Sequence, residues 1–158
     1  MTRKEELLAG YDDVGSHRWE SMDSIFKNIS EEEATYQHDS YLTAERYPGD
    51  PLPGTILWYV HHLAHCYRHY IDVITQHPIK PEDPSPPAIV PFDQMLVVMR
   101  GSRQALRDAV AAVPEDALDE KVYNGDSIAM FVRMVTRHDA WHLGQIAVAR
   151  RLYRTRPI

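Results

Sequence analysis

Arg137-His138-Asp139-Ala140-Trp141-His142-Leu143-Gly144-Gln145-Ile146 sets two histidines four residues apart inside a segment of helical periodicity. At about 100° and about 1.5 Å per residue, such a pair stands about 40° apart around the helix and about 6 Å apart along it. Two imidazoles so placed can share one cation. Counted from Ile128, the residues Phe131, Val135, Ile146, Ala149 and Tyr153 form a stripe between about 300° and about 360°. His138 falls at about 280° and His142 at about 320°, within that stripe, while Arg133, Arg137, Gly144 and Arg151 lie opposite. The segment is therefore a core-facing helix, and its two histidines point inward. Buried imidazoles need partners for their ring nitrogens, and two at one level compete for the same small volume. Separate hydrogen-bond partners would make them ordinary core residues; a shared cation would satisfy both at once.

Working outward, the turn signal Asn124-Gly125 precedes this helix, with Asp126 or Ser127 as its cap and an end near Tyr153. Three more segments carry the same period. The first runs from Arg3 to Ile29, with Leu8, Tyr11, Met22, Ile25 and Ile29 on one face. Ser30-Glu31-Glu32-Glu33 reads as a capping box opening a short further turn. A loop through Tyr47-Pro48-Gly49-Asp50-Pro51-Leu52-Pro53-Gly54 breaks the pattern. The second long helix starts at Thr55, a natural N-cap, and runs to Gln76 with Ile56, Val60, Leu63, Tyr67, Tyr70 and Ile74 as its packing stripe. The proline-rich run His77 to Pro87 reads as a stiff crossover. The third covers Pro91 to Val113, with Pro91 in its first turn and Pro114 closing it. Lys121-Val122-Tyr123 is short and extended. The expectation is an all-α four-helix bundle with a long crossover connection, one domain over residues 1–158.

The chain has 158 residues, 44% hydrophobic and 25% charged, an ordinary globular composition. Its net charge of −6 argues against nucleic acid or an anionic membrane as partner. The basic end (Arg150, Arg151, Arg154, Arg156) reads as favourable charge at a helix C-terminus. No apolar run approaches the roughly 20 residues that span a bilayer. The N-terminal stretch lacks the apolar centre of a signal peptide. The one cysteine, Cys66, permits no intrachain disulfide and fits a reducing compartment. A cytoplasmic protein is expected.

A third ligand for the His138/His142 pair should come from a facing helix, and the second long helix offers His61, His62, His65 and His69. Counted from Ile56, His62 falls at about 240°, beside Tyr59, Cys66 and Val73, and is the best inward candidate. His61 falls at about 140° beside Arg68 and Asp72, and His65 and His69 at about 180° and about 220° on the polar side. His61 or His65 stays open as an alternative ligand, though most of the four histidines read as ordinary surface or interface residues. Cys66, one turn past His62, is a fourth ligand or an inert core residue. Three neutral imidazoles with one open position make a catalytic-type site. Zinc suits that donor set best, with nickel, iron and manganese also compatible. Gln145, at about 260° on the last helix, can orient a ligand or bind substrate, or join helices. Arg18, near Gly15 and Met22, faces the pocket to hold an anionic substrate, or snorkels to the bundle end. Trp58 and Trp141 lie away from the stripe centres, at a pocket rim, an interface or in packing.

The block His138-x3-His142-x-Gly144-Gln145-Ile146, joined to Thr55-Ile56-Leu57-Trp58-Tyr59-Val60-His61-His62-Leu63-Ala64, resembles the DinB/YfiT-like superfamily of metalloproteins. That family has a histidine followed by Leu-Ala in its second helix and a His-x3-His pair in its last. The resemblance implies His62, His138 and His142 as ligands of one divalent metal at an end of a four-helix bundle. It further implies a homodimer acting on a small molecule. Some members are S-transferases using mycothiol, bacillithiol or glutathione, and related ones isomerise maleylpyruvate. The expected function is thus metal-dependent and enzymatic, by thiol-dependent group transfer or hydrolysis; a non-catalytic metal-binding, stress-related sensing protein is the alternative. The mycothiol-using branch often carries glutamate after the first histidine of the pair. Asp139 stands at that position, at about 20° on the wheel and outside the ligand pair.

Overall fold

A computed structural model describes residues 1–17, 21–39 and 51–157. It contains α1 (Arg3–Ser16), the short α2 (Met22–Ile25) and α3 (Glu31–Thr35), then α4 (Ile56–Thr75), α5 (Phe92–Ala112) and α6 (Ile128–Arg154), with a 3-10 turn at Glu115–Asp119. Each start is chemically marked. Thr2, Ser21, Ser30, Thr55 and Ser127 cap α1, α2, α3, α4 and α6, their hydroxyls accepting a backbone N–H that the first turn leaves unpaired. Pro91 has no such oxygen. It is the N-cap of α5 rather than a residue of its first turn. The Phe92 N–H is met from outside by Glu31 Oε2 at 2.8 Å.

The apolar stripes do the packing. Val60, Leu63 and Tyr67 of α4, Met95 and Met99 of α5, and Ile128 and Ile146 of α6 are completely buried, joined by Leu7 and Tyr11 of α1. α4 packs chiefly on α5 and α6, and so does α1, which makes α5 and α6 diagonal across the bundle. After α4 the crossover doubles back along it: Asp83 pairs with His69 at 3.2 Å and the Pro87 carbonyl meets His61 at 2.8 Å. The chain therefore enters α5 at the end where α4 began, and the two run parallel. Tyr59 and Tyr70 of α4 touch His142 and Phe131 of α6, so α6 is antiparallel to α4. This is a four-helix bundle with the long crossover expected of its proline-rich segment.

The first helix is shorter than its periodicity suggests. It ends at Ser16, and Ser21 and Ser24 form their own capping box to open α2. Asn28, at φ 57°, follows in the left-handed region that Asn tolerates. Gly10 and Gly15 weaken the helix, and a local cap outcompetes one long rod. Ser30 caps α3 through the Glu33 N–H alone, without the reciprocal bond of a capping box. Lys121 pairs with Ser127 in an isolated antiparallel bridge around Gly125, whose φ of 90° suits glycine.

Candidate metal centre

α4 and α6 bring His62, His138 and His142 together. One ring nitrogen from each lies within 4.8 Å of the others, and no other such cluster of His, Cys, Asp or Glu occurs among the described residues. The His138 and His142 Nε2 atoms are 3.0 Å apart. A tetrahedral zinc with bonds of about 2.0–2.1 Å needs its nitrogens about 3.3 Å apart. The pair on α6 is already near that spacing, and His62 has at most about 1.5 Å to close.

Protonation fits the same reading. Burial pushes His62 down to about 4, with the neighbouring His142 and His138 adding to it, and pushes His138 down to about 4 with His142 adding. His142 is lowered by burial and partly restored by its bond to Gln145. All three are neutral near pH 7, the state a metal ligand requires. His142 Nδ1 lies 2.6 Å from Gln145 Oε1 and donates to it, which leaves the lone pair on Nε2 facing the cluster. A proton can bridge the two rings on α6 and the Cys66 thiol can meet His62; one cation would serve all three rings at once.

Aromatic rings wall the cluster. Trp58 stacks on His62 at 5.1 Å, 3° from parallel, and Trp141 on His142 at 5.5 Å and 20°. Both tryptophans are thus rim residues, one half-buried, the other 65% exposed. A cavity of about 210 Å³ between α4 and the returning crossover adjoins His62, lined by Trp58, His61, His62, His65 and Pro86. The His61 ring turns away from the ligands to bond Pro87 and is buried, not a surface residue. The crossover that covers it is a long-range feature its own helix face does not announce. Cys66 Sγ sits 3.4 Å from His62 Nε2 but outside the three-histidine cluster, and burial pushes its thiol up to about 11. His65 and His69 also stand apart from the cluster. Arg18 lies outside the described residues.

Behind the ligands is a polar knot. Asp139 is completely buried; Oδ1 accepts from the Tyr67 hydroxyl at 2.9 Å and Oδ2 from Arg103 Nε at 3.3 Å. Burial lifts its carboxyl to about 6 against the opposing pull of Arg103. Arg103 lies over the Tyr11 ring at 3.9 Å and bonds the Tyr11 carbonyl. The four residues come from α6, α4, α5 and α1. A signal for them existed: Asp139 falls at about 20° from Ile128, and Arg103 at about 20° from Phe92, so opposite charges sit mid-stripe on two helices. A larger cleft of about 430 Å³ on the outer side of this knot carries Arg100 and Arg107. These are matched by Asp23 at 3.1 Å and Asp12 at 2.7 Å, so its net field is small.

Residues 16–146 match the DinB superfamily. No curated protein and no solved structure matches the chain significantly.

Proposed function

Because this chain belongs to the DinB superfamily, we propose that it is a metal-dependent enzyme whose His62, His138 and His142 hold one divalent ion. Zinc suits the donor set best. The observation that carries this reading is the convergence of three neutral imidazoles from α4 and α6 within 4.8 Å. A divalent metal held by these residues would supply Lewis acidity to a thiol or a water. The protein's own residues hold and orient. Gln145 fixes the His142 tautomer, as carboxylates and amides behind metal-bound histidines do. Trp58 and Trp141 wall the ligands and restrict water. The reaction proposed is thiol-dependent group transfer to a small molecule, or its hydrolysis, with the cavity beside His62 as the substrate seat.

A second copy of the chain belongs to this proposal. Met130, Trp141 and Val148 are 53%, 65% and 53% exposed, and they lie within about 20° of one another on α6. Such a stripe supports a subunit contact. A metal-binding protein without turnover is the second reading. It is favoured by one feature: the carboxyl next to His138 is tied by Tyr67 and Arg103 and is not free to act as a base. Zinc-loaded protein assayed with glutathione and other low-molecular-weight thiols against a reactive electrophile separates the two. Turnover lost in His142→Ala supports the enzyme; metal binding with no turnover across that screen supports the binder.

A further inference from the structure

The geometry points to Asp139 as a positioning residue for the metal centre, an inference that rests on the three histidines binding metal. One residue after His138, it turns about 100° away from the ligand face and into the middle of the bundle. Both of its oxygens are engaged there, one from α4 and one from α5, with no exposure to water. The Arg103 bond spans the diagonal between α5 and α6, one of the two pairs of long helices without extensive packing. Arg103 is in turn seated on α1, by the ring and carbonyl of Tyr11. At Gly15 a Cβ would come within 2.5 Å of its guanidinium, so the seat exists because that residue has no side chain.

The consequence lies in the tolerance of a metal site. Rotating α6 by about 10° carries a ring nitrogen about 5 Å from the helix axis through about 1 Å, several times the roughly 0.2 Å that metal–ligand distances allow. Apolar packing tolerates such a slip, because stripes of similar shape can repack. A carboxylate bonded in two directions does not. A buried ion pair seldom stabilises more than a well-packed apolar pair would, and its best-attested use is to fix register. The hydrogen bond from the Tyr67 hydroxyl to Asp139 links α4 and α6 beside the His62, His138 and His142 cluster, so it sets the distance across which a metal would be shared.

The test is titration of metal-free protein with cobalt(II), following affinity and the visible band that reports coordination geometry, beside urea unfolding. Asp139→Asn keeps size and shape but breaks the charge pairing. It is expected to bind cobalt at least about 10-fold more weakly with an altered band. Tyr67→Phe, which removes a single hydroxyl, should move both readouts the same way by less. Val110→Ala, a cavity elsewhere in the α5 core, should lower the urea midpoint and leave affinity and band as in the wild type. Wild-type affinity and band in both Asp139→Asn and Tyr67→Phe would overturn the inference, as would equal losses in Val110→Ala. Should Asp139→Asn not fold, Tyr67→Phe decides alone. Wild-type protein that takes up no cobalt instead removes the metal centre itself, a distinguishable failure.

Discussion

Replacing Gly15 by alanine should destabilise this protein, although the same change at Gly10 on the same helix should stabilise it. Alanine gains about 1 kcal/mol over glycine in a helix interior. At Gly10 nothing lies within 4 Å of the added methyl, so the gain is expected nearly in full. At Gly15 the methyl would meet Arg103 Nη1 at 2.5 Å and Cζ at 3.1 Å. A free arginine would swing aside at little cost. This one is only 14% exposed and is bonded to Asp139 and to the Tyr11 carbonyl. Displacing it forfeits one or both bonds, each worth about 1.5–3 kcal/mol where a charged group is involved. After the helical gain, a net loss of about 0.5–2 kcal/mol remains if one bond is lost and about 2–5 kcal/mol if both are. Urea unfolding of the two variants beside the wild type, all metal-free, measures it. A Gly15→Ala midpoint at or above that of Gly10→Ala would refute the seating of Arg103 against α1 and the knot built on it.

Other outcomes follow from the same geometry. Gln145→Ala should weaken zinc binding about 10- to 100-fold by freeing the His142 ring, read by competition with a chelator. An unchanged affinity would show that the 2.6 Å contact does not orient the ligand. Acid should destabilise the metal-free protein. His62 and His138 are held near 4 when folded against 6.5 when exposed, so the unfolded chain takes up more protons in that interval. Their contribution is complete above about pH 6.5 and is lost as pH falls toward about 4. Asp139, raised from 3.8 to about 6, acts in the opposite sense, losing stability as pH rises through about 6, but it is one group against two. Urea midpoints that hold steady or rise between pH 7 and pH 4.5 would contradict this balance.

Residues that act through near neighbours were legible in the sequence. Thr55, Ser127 and Pro114 mark helix ends by local chemistry, and α4 begins and ends where its caps say. The His138/His142 spacing and the inward angle of His62 are likewise properties of single helices. What stayed hidden depends on chain segments meeting at long range. His61 reads as polar-face until the crossover returns over it. The break after Ser16 is masked because Met22 and Ile25 keep the periodicity of the helix before it. Asp139 and Arg103 each look like a flaw in an apolar stripe when read on one helix. They make sense only as a pair bridging the bundle.

Metal uptake by protein purified without a metal-affinity tag is the decisive check on the three-histidine centre, by elemental analysis and zinc titration of wild type, His142→Ala and His17→Ala. About one ion per chain is expected in the wild type and in His17→Ala, and none held stoichiometrically by His142→Ala. Less than about 0.1 equivalent in the wild type with no uptake on titration, or equal uptake by all three proteins, would contradict it.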